Sequence, residues 1–172
     1  MTEHAQIDPA EFRRVFSHLP TGVSVLTAHG AGGPLGMAVN SVTSVSLEPP
    51  LVLFCPARSS TTWPAIRATG AFCINVLAGD QEAVARAFAA RGGDRFAGVR
   101  GAERPTGLAL DGALAWIECR IEDEHDAGDH TIIVARVVAI EGAADVSDPL
   151  VFFRGAYGSF VDATTSPAAH RR

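Results

Sequence analysis

The chain has no lysine; all 14 of its basic residues are arginine. That excludes Schiff-base chemistry and the phosphate-gripping lysine of a P-loop. Acidic residues outnumber basic ones, 19 to 14, for a formal charge of −5. The basic footprint of a nucleic-acid binder is therefore missing. No apolar run approaches the roughly 20 residues that cross a bilayer. The opening Met1-Thr2-Glu3-His4 lacks the basic-then-apolar pattern of an export signal. A cytoplasmic protein with no membrane partner is expected. Cysteine is scarce: Cys55, Cys73 and Cys119 are unclustered, and each sits in an apolar run. They read as buried thiols, not as disulfides or a zinc site. His18, His29, His125 and His170 have no ligand spacing, so no metal is expected. There is no G-x-G-x-x-G after a strand, no Walker loop and no G-x-S-x-G elbow. Any nucleotide must be held on a non-Rossmann scaffold.

What is present suits one domain. The chain has 172 residues, 47% of them hydrophobic and 19% charged, enough to fill a core. Asp8-Pro9-Ala10-Glu11 supplies an N-cap, a proline at the first helical position and an early acid. Phe12, Val15, Phe16 and Leu19 then recur at helical spacing, predicting a helix over 9–18 that Pro20 stops. From Thr21 the pattern turns to strands. Val23–Thr27 is β-rich, Gly30–Pro34 is a turn, and Gly36–Leu47 alternates as one long strand with an oddly polar second face. Leu51–Cys55 and Phe72–Leu77 are apolar strands, with a short helix over Trp63–Ala68 between them, closed by Gly70. Asp80 is placed to cap a helix over 81–90. The stretch 91–107 reads as loop. Leu114–Glu122 and Thr131–Glu141 are long strands joined by 123–130, and Leu150–Phe153 is a last short one. Six or seven strands without regular intervening helices predict a mainly antiparallel sheet, closed or nearly closed to remove its edges.

Three segments carry excess polarity. Arg58-Ser59-Ser60-Thr61-Thr62 puts hydroxyls and a guanidinium before a helix start, which suits a phosphate or an ordinary N-cap. Asn40–Ser46 packs hydroxyls and an amide into one strand, suited to the polar edge of an aromatic ring or to solvent. Gly128-Asp129-His130 places an imidazole at a strand start. There it is either a surface turn residue or a donor to a carboxamide or phosphate, and Asp129 need not face it.

In order along the chain, these pieces resemble a known family. They are Phe12-Arg13, Thr21–Thr27, Gly36–Ser41, Ser44–Leu53, Phe72–Leu77 and Gly128-Asp129-His130. The resemblance covers about residues 8–160 and is to the short-chain flavin reductases, the reductase components of two-component flavin-dependent monooxygenases. It implies an FMN-binding split barrel, an antiparallel Greek-key-type β-barrel, over residues 8–161, with flexible ends at 1–7 and 162–172. It implies a homodimer that uses NADH or NADPH to reduce FMN or FAD and passes the reduced flavin to a partner monooxygenase. Its Leu47–Pro56 stretch is similar to that of reductases serving aromatic-compound oxygenases. By similarity, the flavin site holds Leu35, Gly36, Met37, Ala38, Asn40, Ser41, Cys55, Pro56, Ala57, Ser60, Thr61 and Thr62, with Phe88 alongside. The nicotinamide side holds His130, Phe152, Phe153, Arg154, Gly155 and Tyr157, and His130 is the residue nearest a catalytic role. NADH is favoured because no arginine cluster is dedicated to a 2′-phosphate, Arg91, Arg95 and Arg100 being the nearest to one. Where many members carry Gly-Ser-Pro, this chain has Arg104-Pro105-Thr106-Gly107. The rival readings are a flavin- or haem-binding barrel without turnover and a pyridoxamine-phosphate-oxidase-like enzyme. The latter would want clustered basic groups.

Overall fold

The computed structural model describes residues 7–144 and 148–160. Apart from Ile7, the ends expected to fray lie outside those residues. Three helices and twelve strands follow in order. They are α1 (Pro9–Phe16), β1 (Thr21–Gly22), β2 (Ser24–Gly30), β3 (Gly33–Val39), β4 (Thr43–Leu47), β5 (Pro50–Phe54), α2 (Trp63–Thr69), β6 (Ala71–Val76), α3 (Glu82–Ala89), β7 (Gly101–Arg104), β8 (Gly107–Leu110), β9 (Ala115–Ala127), β10 (His130–Gly142), β11 (Leu150–Phe153) and β12 (Ala156–Ser159). The main sheet runs β3-β2-β6-β9-β10-β5-β4, beside a three-stranded β1-β11-β12 sheet and a β7-β8 hairpin. Every pairing is antiparallel.

The alternation over 36–47 is two strands, not one. β3 lies at one edge of the main sheet and β4 at the other. Asn40-Ser41-Val42 is the crossing, and its polarity is that of an irregular link. Four Cα steps separate Val39 from Thr43, at most about 15 Å of chain. The two edges must therefore approach each other, and the sheet must curl. Val39 of β3 and Val52 and Phe54 of β5 share one buried cluster with Leu26, Phe72, Ile74 and Ile133. Trp63, Phe54 and Phe72 meet edge to face within it. The ladder does not close: β3 and β4 remain edges.

Other boundaries differ for tertiary reasons. The 91–107 loop contains β7 and leads into β8, because Asn75 pins this hairpin to the sheet. The Asn75 amide donates to the Val25 and Leu108 carbonyls (3.1 and 3.2 Å), and its Oδ1 accepts from the Leu110 N–H (2.7 Å). Residues 123–127 continue β9, leaving only Gly128 and Asp129 as the turn. Gly128 has φ +65 there, where a side chain would be strained. Gln81, not Asp80, precedes α3, and its side chain accepts from the Ala78 N–H. β12 was not expected; it folds back on β11 through Arg154-Gly155, both at positive φ, as a type I′ turn requires.

Candidate functional site

The site begins at β3. Gly36 is buried, and a Cβ there would lie 2.3 Å from the Phe88 ring. Phe88 is 1% exposed and stacks edge to face on Phe96. It is thus a floor beneath Gly36. Leu35, Met37 and Ala38 are half-buried, and Asn40 is exposed where the strand ends. Ser41 Oγ accepts from the Cys55 N–H at 2.9 Å, tying the crossing to the loop after β5.

That loop assigns different work to each hydroxyl. Ser60 Oγ accepts from the Trp63 N–H (3.1 Å) and so caps α2. Thr61 is exposed. Thr62 occupies the N-cap position but makes no cap bond; its Oγ1 instead accepts from Arg95 Nη1 at 2.6 Å. Arg58 is ion-paired with Asp126 and is not a free phosphate fork. Since α2 has only seven residues, an anion here depends on side chains more than on a helix dipole. Arg95 carried no structural signal in the sequence beyond its charge, and it joins the site from the segment read as loop.

His130 is brought to the same loop by backbone pairing. Ala57 bridges His130, the Arg58 N–H donates to the Asp129 carbonyl (2.9 Å), and the Thr131 N–H donates to the Pro56 carbonyl (3.0 Å). Asp129, whose facing was left open above, does meet the ring: His130 Nδ1 lies 2.7 Å from Asp129 Oδ1. That hydrogen bond and the His130 charge hold the Asp129 carboxyl below its ordinary range, with a smaller contribution from Arg13. Nε2 has no hydrogen-bond partner among the described residues. The end of α1 also reaches the other turn, where the Arg154 N–H donates to the Ser17 carbonyl (2.9 Å).

Phe152 and Tyr157 pack edge to face at 5.2 Å, with the Arg86 guanidinium 4.9 Å over the Tyr157 ring. Both rings line a cavity of about 140 Å³ together with Ala38, Val39 and Asn40. Phe153 and Tyr157 border a second, apolar groove of about 640 Å³ with Pro20, Thr21 and Phe160. Thr21 Oγ1 is buried there without a partner among the described residues. Arg154 and Gly155 are exposed at the tip of their turn. Among the described residues, no three His, Cys, Asp or Glu side chains are grouped to hold a metal. No helix of the described residues is long and apolar enough to cross a membrane.

Residues 16–160 match the family model described as a flavin reductase like domain. The chain is 43% identical over 166 residues to HsaB, the reductase subunit of a flavin-dependent monooxygenase from Rhodococcus jostii, covering 96% of this chain and 85% of that one. It is 45% identical over 150 residues to the FMN reductase (NADH) SmoA of Agrobacterium fabrum, covering 87% and 84%. Among solved structures, the NADH:FAD oxidoreductase SgcE6 of Streptomyces globisporus, in complex with NAD and FAD fragments, superposes with a TM-score of 0.85. Its identity is 35%, over 92% of this chain and 98% of that one.

Proposed function

The chain belongs to the flavin reductase family, and from that premise we propose that it uses NADH to reduce FMN or FAD and releases the reduced flavin to a partner monooxygenase. We read the curled main sheet, its edges joined by the 40–42 crossing, as a split barrel over residues 8–161 that works as a homodimer. The observation that carries the reading is a shared wall. Ala38 and Asn40, from the flavin segment, line the same cavity as Phe152 and Tyr157, from the nicotinamide segment.

The residues present fit a flavin. The space a side chain at Gly36 would take is filled by the Phe88 ring, so β3 packs closely on α3 beneath the segment offered to the flavin. Leu35, Met37 and Ala38 offer partly exposed apolar surface. Asn40, Ser41 and the loop Cys55-Pro56-Ala57 supply polar and backbone groups beside it, and Ser60, Thr61 and Thr62 supply hydroxyls. When bound, the flavin accepts a hydride from the nicotinamide, and the cofactors carry that chemistry. The chain contributes orientation. Phe152 and Tyr157 offer aromatic surface to the nicotinamide, and Phe153, Arg154 and Gly155 form the edge of the same hairpin. His130, its Nδ1 fixed by Asp129, presents Nε2 to a carboxamide or phosphate as the only residue given a catalytic-side role. No lysine and no general acid is needed. NADH is preferred to NADPH, a choice supported by the naming of SmoA and SgcE6.

The test is direct. Protein is mixed with NADH, then with NADPH, with and without added FMN or FAD, and absorbance is followed at 340 nm. NADH should be consumed only when flavin is added, and faster than NADPH. No consumption with either flavin would remove the assignment.

A further inference from the structure

The β9–β10 hairpin outruns the strand beside it. β6 pairs with β9 from Ala115 to Arg120, followed by one bond from the Ile121 N–H to the Gly70 carbonyl (3.0 Å). β9 continues to Ala127 with β10 as its one strand neighbour. The register slips where this free stretch begins. Val134 faces Asp123 and Ala135 faces Ile121, which leaves Glu122 unopposed. A bulge of this kind bends the strand beyond it. Residues 123–130 thus form an arm with one unpaired backbone edge, and His130 stands at its tip.

α2 faces this arm across an open groove of about 790 Å³. Two ion pairs cross it. Arg67, on α2, donates through Nε to both carboxylate oxygens of Glu124 (2.7 and 2.8 Å). Arg58, in the loop before α2, pairs with Asp126. Glu124 and Asp126 are two residues apart, so they share one face of the strand. Both pairs join segments distant in sequence, unlike Arg14–Glu11 and Arg86–Glu82, which lie within single helices. Among the described residues, Glu124 is the least exposed of the ion-paired carboxylates, at 24%. Its pair with Arg67 is therefore the less screened of the two.

Resting on the flavin reductase reading, we propose that Arg67 and Glu124, with Arg58–Asp126 as a lesser second pair, form a strap that holds the His130 turn in its place for NADH. The backbone bonds from Ala57 and Arg58 fix the arm at its tip, and the strap fixes it behind the tip. Arg67 and Glu124 are positioning residues. They act through His130 and touch neither cofactor.

The KM for NADH is measured with FMN in excess, and the flavin Kd by quenching of flavin fluorescence. The natural protein is compared with Arg67→Gln, Glu124→Gln, the double variant and Arg67→Lys. Arg67→Gln and Glu124→Gln are also made in a His130→Ala background. Each single variant should raise the KM about 2- to 5-fold, the reach of a partly exposed ion pair. The double variant should do no more than the larger single one, because both remove one linkage. Arg67→Lys keeps the charge and should recover most of the loss. The flavin Kd and kcat should move by less than about 2-fold on the same scale. In the His130→Ala background the same substitutions should leave the KM within about 2-fold, since the ring they position is gone. A merely structural role would act alike in both backgrounds. The two single variants reach the pair from different elements, so a failure of one to fold leaves the other to decide. An unchanged KM, or an equal rise with and without His130, would overturn the strap while leaving the flavin reductase reading standing. A natural protein that oxidises no NADH with flavin present would overturn both.

Discussion

The three thiols differ in what surrounds them. Cys73 and Cys119 are fully buried, and burial pushes both up to about 12, with the nearby Glu118 carboxylate adding to each. For Cys119 the second contribution is the Cys73 thiol itself. Cys55, on the loop after β5, is half-buried and raised by burial alone. In the unfolded chain all three titrate near 9. Above that pH the unfolded state gives up protons that the folded state keeps, so stability falls as pH rises. It should be whole below about pH 9 and decline toward pH 12. The chain suits this measurement, since it has no lysine and a single tyrosine to titrate in the same range. Urea midpoints should drop from pH 8 to pH 10.5, and the drop should shrink in a Cys73→Ala/Cys119→Ala variant. A midpoint that holds steady across that span would contradict the burial of these thiols. His130 is tested kinetically. His130→Ala should raise the KM for NADH about 10-fold, for one lost charge-assisted bond, with the flavin Kd little changed. Loss of flavin binding with an unchanged KM would place His130 on the other ligand.

Among the elements, the β7–β8 hairpin depends most on one residue. The Asn75 side chain donates to Val25 and Leu108, reaches Thr27 Oγ1 at 3.3 Å, and accepts from Leu110. Asn75→Ala would strand the Leu110 N–H and carbonyls in a buried place, at a cost of about 2–4 kcal/mol. Urea unfolding should register that loss, and hydrogen exchange should rise first in 101–110. Retained protection there would mean the hairpin is held by packing of Leu108 and Leu110 instead. The same hairpin marks where the sequence ceased to be legible. Its strands are four residues each, and a buried amide from a distant strand holds them, so no local periodicity announces them. Long apolar runs such as β5 and β6 were readable because burial on both faces leaves a continuous pattern. The even alternation of 36–47 concealed a crossing, since period two survives when the chain changes sheet edges. Asn40, Ser41, Thr62 and His130 were legible as excess polarity. Arg95 was not, because what it bonds is decided by tertiary placement.

At the scale of the whole molecule, the chain leaves apolar surface uncovered. No residue of α1 is buried, and its Phe12 and Phe16 rings stack at 4.3 Å while about half-exposed. A helix of eight residues does not hold itself together without packing. Leu47 and Ile140 are also exposed. Trp63 and Phe88 contribute nothing to this surface, since both lie in the core. These faces favour the proposed homodimer, in which α1 would pack against a second copy. Sedimentation should give twice the 18.0 kDa chain mass, and Phe12→Asp/Phe16→Asp should dissociate it. A single species of chain mass at all concentrations would refute the dimer. Above these stands the claim that the protein reduces flavin and then lets it go. Protein, FMN and excess NADH are mixed without oxygen and passed at once through a filter that retains the protein. NADH should be oxidised one for one with flavin, and reduced flavin should appear in the filtrate. Unoxidised NADH, or reduced flavin held back with the protein, would contradict that claim.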